Sequence, residues 1–244
     1  MRIKCSFTCE ELPRSYRTMF VSLIKKSLET SNENYFKQLY FYQDKANKRT
    51  KNFTFSVRLK DYELIEDQFK VNGQVDLFIS SPDQEWMIYF YNGLLKLNRF
   101  EYRQFCLTKQ SVYMLKEPDV TRTYLLCKTM SPIYIKDKNG QALSPYDQSY
   151  ANEFLYISDL TLTNYRGVGL QSSLRFVPIE MKKNIIKEPI TKFQEQTQKP
   201  YLLIEGYKGT FLLEGHPEDL RDLYQLGVGF RRSSGWGMLE VIDR

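Results

Sequence analysis

Apolar and polar positions alternate from the start of the chain. In MRIKCSFT, Ile3, Cys5 and Phe7 share one face, the period-2 pattern of a half-buried strand. The period then changes. Tyr16, Met19, Phe20, Leu23, Ile24 and Leu28 recur at helical spacing, and Pro13 reads as the opening of that helix. A shorter helical piece follows around Tyr35 to Leu39. NFTFSVRL and GQVDLFIS read as two strands, the second ended by Ser81-Pro82. From Pro82 to about Leu97, the residues Trp86, Phe90, Leu94 and Leu97 line one helical face, and FCLTKQSVYML closes as a strand. The order is β-α-β-β-α-β over roughly the first 118 residues, the ferredoxin-like signature.

Glu117-Pro118-Asp119 marks a junction, and the order then repeats less cleanly. TYLLCKTM reads as a strand, Lys136 to about Asp147 as a polar loop, and Gln148 to Leu162 as a helix. SSLRFVPI, YLLIEGY and GTFLLEG read as strands, with a tight turn near Lys208-Gly209. His216-Pro217-Glu218-Asp219 opens a helix that reaches about Tyr224, with proline and acids in its first turn. GMLEVI is the last strand. The predicted class is therefore α+β: two tandem ferredoxin-like (RRM-like, βαββαβ) domains, residues 1–118 and 119–244.

Composition narrows the class of partner. Of 244 residues 42% are hydrophobic, enough to build a core and to argue against disorder. Lys and Arg total 35 against 29 Asp and Glu, a net charge of +6 that favours an anionic partner. The excess is uneven: Lys45, Lys48, Arg49, Lys51, Arg58 and Lys60 fall in one window without an acid. As a solvated face that run needs no ligand, but Phe53 and Phe55 are interleaved with it at strand spacing. No apolar run approaches the ~18 residues of a membrane span, and the N-terminal pattern breaks too early for a signal peptide. Cys5, Cys9, Cys106 and Cys127 form no CxxC pair, and each reads as a buried thiol, Cys5 and Cys9 on one strand face. With a single histidine the chain lacks a zinc ligand set, so neither metal nor cofactor is expected, and a reducing cytoplasm fits.

The densest local signal is GVGFRRSSGWG. Gly227 and Gly229 precede, and Gly235 and Gly237 follow, the run Arg231, Arg232, Ser233, Ser234. Bare backbone can cup a phosphate through its N–H groups, while arginine adds a fixed charge and serine a hydroxyl, a set suited to a sugar–phosphate chain. A helix rather than a strand precedes the loop, so it is not a dinucleotide fingerprint, and no Lys-Ser/Thr follows as in a P-loop. The competing reading is a glycine-rich turn with exposed charge. A weaker echo, Gly167-Val168-Gly169, follows Tyr165-Arg166 and reads equally as a turn or as a phosphate contact with Arg166 as the RNA-binding residue.

This G-h-G-x5-G-h-G pattern resembles the glycine-rich loop of the repeat-associated RAMP superfamily, and more closely that of the CRISPR-associated endoribonucleases that cut repeat RNA into guide RNAs. LPRSYRTMFVSLIKKSL resembles that family's first helix, KNFTFS its strand entry after the catalytic loop, and KTMSPIYI the opening of its second domain. The resemblance covers roughly the first 60 residues, residues 125–135 and the last 45, and implies the tandem ferredoxin-like fold. It also implies metal-independent chemistry, in which a 2′-hydroxyl attacks the adjacent phosphate to leave 2′,3′-cyclic phosphate and 5′-hydroxyl ends. Many members use a histidine after the first helical segment, a tyrosine in the first helix and a lysine before the FTFS-like strand. Carried over in register, these positions are Tyr40, Lys25 and Lys51. The histidine is thus replaced, and the single histidine, His216, reads as a helix-start residue. Two lysines beside Tyr40 can lower its pKa, which leaves two roles open: Tyr40 as a base for the 2′-hydroxyl with a lysine donating to the 5′ oxygen, or Tyr40 as a positioning group with the lysines stabilising charge. Lys45, Lys48 and Arg49 border the scissile phosphate in this reading, and Tyr40, Tyr42 and Tyr165 are candidates for base stacking. The implied partner is CRISPR repeat RNA, with effector-complex subunits as further partners and a monomer or homodimer as the assembly. The alternatives are a catalytically inactive repeat-binding or structural subunit and a general RRM-type module. NFTFSV lacks the glycines of the RRM pattern.

Overall fold

The computed structural model describes residues 1–43, 45–47, 49–188, 194–195, 197–198 and 201–242. They form two compact units, one of residues 1–52 and 57–116, the other of residues 53–56 and 117–244.

The first unit runs β1 (Arg2–Thr8), β2 (Glu11–Pro13), α1 (Tyr16–Ser31), α2 (Glu33–Tyr40), β3 (Phe41–Tyr42), β4 (Lys45–Ala46), β5 (Thr54–Leu59, whose first three residues group with the second unit), β6 (Tyr62–Ile65), β7 (Gln68–Val71), β8 (Gln74–Ser80), α3 (Gln84–Lys96), β9 (Arg99–Tyr102) and β10 (Phe105–Leu115). Its main sheet has the order β5-β8-β1-β10-β9, the ferredoxin-like arrangement with β9 added at one edge. The alternation in β1 works as read: Ile3, Cys5 and Phe7 are buried and lie opposite Ile79, Leu77 and Val75 of β8. Met19, Phe20, Leu23, Ile24 and Leu28 of α1 and Trp86, Met87, Phe90 and Leu94 of α3 complete that core. The opposite face of β8 carries the buried Asp76. It accepts from Ser6 Oγ at 2.7 Å and pairs with Lys4 at 3.2 Å and Lys60 at 3.4 Å. Short side chains start the helices: Asn32 accepts from the Tyr35 N–H and Asp83 from the Trp86 N–H, each at 3.0 Å.

Two local readings change here. Pro13 does not open α1, which begins at Tyr16; it lies in β2, paired with Gln68 of β7. Cys9 falls just past the end of β1, so it shares no strand face with Cys5. Cys5 and Cys127 are buried, whereas Cys9 and Cys106 are only half-buried. Burial pushes the Cys5 thiol up to about 12 and the Cys9 thiol up to about 11.

The second unit contains β11 (Tyr124–Thr129), α4 (Tyr150–Arg166), β12 (Arg175–Glu188), β13 (Leu202–Glu214), the helix Pro217–Leu226, a 3-10 turn at Arg232–Ser234 and β14 (Leu239–Val241). Its sheet order, β12-β13-β11-β14, is again ferredoxin-like. Phe176 anchors its core, 4.8 Å from the Phe154 ring and 4.7 Å from the Phe211 ring. No turn occurs at Lys208-Gly209, because β13 is continuous there. Gly209 instead sits beside an irregularity in the pairing between Pro178 and Glu180, where a Cβ would run into the Glu180 carbonyl. A glycine inside a strand often marks such a bulge rather than a turn. Among the described residues no helix is long and apolar enough to cross a membrane.

Candidate functional site

Residues 25, 40 and 51 lie far apart in sequence and meet in the first unit. Lys25 projects from the exposed side of α1, and Tyr40 is the last residue of α2. The Lys25 ammonium lies 5.0 Å from the centre of the Tyr40 ring and the Lys51 ammonium 5.4 Å from it. These are cation–π distances. The loop between Tyr40 and Lys51 is held by its own polar groups. Asn47 N–H donates to the Tyr40 carbonyl at 2.7 Å, and Asn47 Nδ2 donates to the Leu39 carbonyl at 3.2 Å. Lys51, only 7% exposed, donates to the Asn47 carbonyl at 3.2 Å and the Arg49 carbonyl at 2.8 Å. Asn47 is thus a structural residue of the site that carries no sequence signature.

The electrostatics correct one expectation. Burial pushes the Tyr40 phenol well above its ordinary range, so the lysines do not make it a phenolate. Their charges sit over the ring, and loss of water around the hydroxyl dominates. Lys51 moves the other way: burial lowers its pKa, and the charges of Lys25 and Arg49 lower it further. The cluster therefore offers a neutral phenol, an ammonium that gives up its proton more readily than an ordinary lysine, and an exposed ammonium. It supplies donors and positive charge rather than a base. Lys45 and Arg49 are exposed beside it, and Lys48 lies outside the described residues.

The glycine-rich loop is built differently from a phosphate cup. Gly227, Gly229, Gly235 and Gly237 are all buried. Gly237 N–H donates to the Pro132 carbonyl at 2.8 Å, and its own carbonyl accepts from Val228 N–H at 2.9 Å. At φ +68, a Cβ on Gly237 would overlap the Val228 carbonyl. Phe230 N–H donates to the Tyr134 carbonyl at 2.9 Å, Ser234 N–H to the Arg231 carbonyl at 2.8 Å and Gly235 N–H to the Arg232 carbonyl at 3.1 Å. Thr54 Oγ1 donates to the Trp236 carbonyl at 2.9 Å. These glycines serve close backbone packing, and the amides named here are used inside the fold. The adjacent arginines also part company. Arg232 is 4% exposed, and its guanidinium donates to the Leu226 carbonyl at 3.0 Å, at the end of the helix Pro217–Leu226. Burial lowers its pKa to about 10. Arg231 stays partly accessible and pairs with Glu188 at 2.8 Å; Glu188 also accepts from Trp236 Nε1 at 3.2 Å. Of the residues of this loop predicted to touch RNA, Arg231, Ser233 and Ser234 remain partly accessible.

Arg166 is likewise committed within the fold. It pairs with Asp219 at 2.5 Å and Asp222 at 2.8 Å and donates to the Gly169 carbonyl at 2.7 Å, pinning the end of α4 to the helix Pro217–Leu226. Its charge is balanced by these two carboxylates. Asp219 and Asp222 gave no sequence signal beyond favouring a helix start. His216 takes the N-cap position of that helix, as read from sequence. Tyr165 is half-buried and packs against the second core.

Three comparisons bear on this arrangement. The family described as "CRISPR associated protein Cas6, C-terminal" matches residues 115–241, more than half of the chain. The CRISPR-associated endoribonuclease Cas6 1 of Methanocaldococcus jannaschii is 28% identical over 241 residues, covering 95% of this chain and 88% of that protein. A Cas6-related protein from Pyrococcus furiosus shares the fold with a TM-score of 0.79 at 19% identity, over 100% of this chain and 99% of that one. A RAMP protein described as binding different RNA substrates does so with a TM-score of 0.80 at 18% identity, over the full length of both. Two ferredoxin-like units, each with the expected strand order, and a family match across the second of them lead to one conclusion: the chain belongs to the Cas6 family of CRISPR-associated proteins.

Proposed function

We propose that this protein binds CRISPR repeat RNA and cuts it into guide RNAs without a metal ion. The 2′-oxygen bonds to the adjacent phosphorus as the P–O5′ bond breaks, leaving a 2′,3′-cyclic phosphate and a 5′-hydroxyl. The 2′ proton passes to solvent. Lys51 donates the proton that the departing 5′ oxygen takes up, and Lys25 balances the charge that grows on the non-bridging oxygens. Tyr40 positions the two ammonium groups as a neutral phenol. Lys45, Arg49, Arg231, Ser233 and Ser234 form the contacts to the RNA chain. The observation that carries the reading is the convergence of Lys25 and Lys51 on one tyrosine, at 5.0 and 5.4 Å. Without a histidine, catalysis rests on charge stabilisation and in-line geometry, so the enzyme is slow beside a relative that has a general base. It works in the cytoplasm.

The test is incubation of the purified protein with repeat RNA transcribed from the array of its source genome, in EDTA. A single cut should appear, with a 5′-hydroxyl that kinase labels directly and a 3′ end that resists ligation until the cyclic phosphate is opened and the phosphate removed. Tyr40→His should raise the rate. If wild type and Tyr40→His both bind the repeat and neither cuts, in EDTA or in magnesium, the protein is a binding subunit.

A further inference from the structure

We propose that Tyr42 stacks on the base of the unpaired nucleotide next to the scissile phosphate, with Lys45 meeting that nucleotide's phosphate. The proposal rests on the cleavage reading above for its location, and on the β3–β4 hairpin for its chemistry. Tyr42 is 68% exposed and Phe41 46% exposed. Tyr42 lies opposite Lys45 in the pairing, and Phe41 opposite Ala46. An aromatic face and an ammonium therefore stand side by side on one face of the hairpin.

Strands of two residues do not hold themselves together. This hairpin is held by its base: Asn47 N–H donates to the Tyr40 carbonyl at 2.7 Å, and the Asn47 side chain to the Leu39 carbonyl at 3.2 Å. On the neighbouring position, Phe41 meets Phe36 edge-on at 6.0 Å, and Phe36 packs on Tyr40 at 5.2 Å. The aromatic at 41 is thus braced from below while the one at 42 is presented outward. A tyrosine this exposed contributes little to a core. On a surface that also presents Lys45 and Arg49, it matches the stacking-plus-phosphate pattern by which proteins hold single strands. Tyr42 is two residues from Tyr40, so about 7 Å of extended chain separates them. That reach selects the nucleotide flanking the cut rather than a remote part of the repeat. Asp44, between the two strands, lies outside the described residues.

The test uses repeat RNA made uncleavable by a 2′-deoxy sugar at the scissile position, with 2-aminopurine placed in turn at each nucleotide around the cut. Wild type should quench the probe at one flanking position, and Tyr42→Ala should abolish the quench and weaken binding roughly 5- to 150-fold. Tyr42→Trp should restore both. Removing the base at that nucleotide should weaken wild type by a similar factor and leave Tyr42→Ala unaffected, since the two changes delete one contact. On cleavable RNA the loss should fall on KM more than on kcat. Affinity of Tyr42→Ala within twofold of wild type, full additivity of the two losses, or quenching only at distant positions would each overturn the proposal. If those results arise while wild type still cuts the repeat, stacking alone is lost. If quenching follows the expected pattern but wild type never cuts, the cleavage reading is lost and stacking stands.

Discussion

Gly237→Ala separates a structural loop from a phosphate cup. Two costs can be worked out from the geometry. A residue with a Cβ at φ +68 incurs about 1–2 kcal/mol of left-handed strain. The new methyl would also overlap the Val228 carbonyl, so the backbone has to move. That movement threatens the hydrogen bonds Val228 N–H to Gly237 O at 2.9 Å and Gly237 N–H to Pro132 O at 2.8 Å. Each buried group left unpaired costs about 1–3 kcal/mol. With one group of each bond left unpaired, the sum is on the order of 3–8 kcal/mol, a large share of the 5–15 kcal/mol typical of a folded domain. Gly167→Ala is the control. Gly167 has φ +82 but nothing within 4 Å of its Cβ position, so only the strain of about 1–2 kcal/mol applies. Urea unfolding followed by tryptophan fluorescence measures both, because Trp236 reports on the second unit and Trp86 on the first. Gly237→Ala should lower the midpoint of the second unit well below that of Gly167→Ala. If the two variants unfold within about 1 kcal/mol of each other, the packing argument is wrong. A Gly237→Ala protein of full stability that had lost RNA affinity would restore the phosphate cup.

Three further outcomes are expected. Arg166→Ala should cost about 3 kcal/mol in the same unfolding assay, because it strands Asp219, whose side chain is fully buried, while RNA affinity of the folded protein stays within twofold; a tenfold loss of affinity at unchanged stability would make Arg166 an RNA contact. Cleavage should fall as pH rises through the pKa of Lys51, on a limb below the ordinary lysine value of about 10.4, because burial holds that pKa down. The sign for stability is opposite: the unfolded chain keeps this proton to higher pH, so the stability contribution at Lys51 rises across the window in which activity drops. A limb that persists unchanged in Lys51→Arg would assign the titration elsewhere. Tyr40→Phe should slow single-turnover cleavage by less than about tenfold, since a phenol held neutral is not the base; a loss in the ~10²–10⁴-fold range of general acid–base catalysis would restore that role.

The fold was legible where the signal is local. Ile3, Cys5 and Phe7 alternate because β1 has one buried face, and the helical rows of α1 and α3 follow from the same requirement. The β6–β7 hairpin was not legible, because every residue of β6 is exposed and no alternation marks it. Gly209 misled for a related reason. A glycine inside a strand and a glycine in a turn look alike until the opposite strand is in view, and here the opposite strand brings a carbonyl where a Cβ would stand.

The site divides along the same line. The family resemblance, carried over in register, chose Lys25, Tyr40 and Lys51, and the structure brings them together. Their order of acidity was not available, because desolvation depends on how Asn47 and its loop close over Lys51 and Tyr40. Arg231 and Arg232 make the contrast plainest. Side by side in the chain they are chemically identical, yet one reaches a partly exposed carboxylate and the other is buried against the end of a helix. Periodicity and residue chemistry are properties of neighbours in sequence, and the chain alone determined the class of fold and a charge balance that favours an anionic partner. Burial, pairing and charge state depend on segments that meet only after folding, so the tertiary structure decided which basic residues remain available to an RNA.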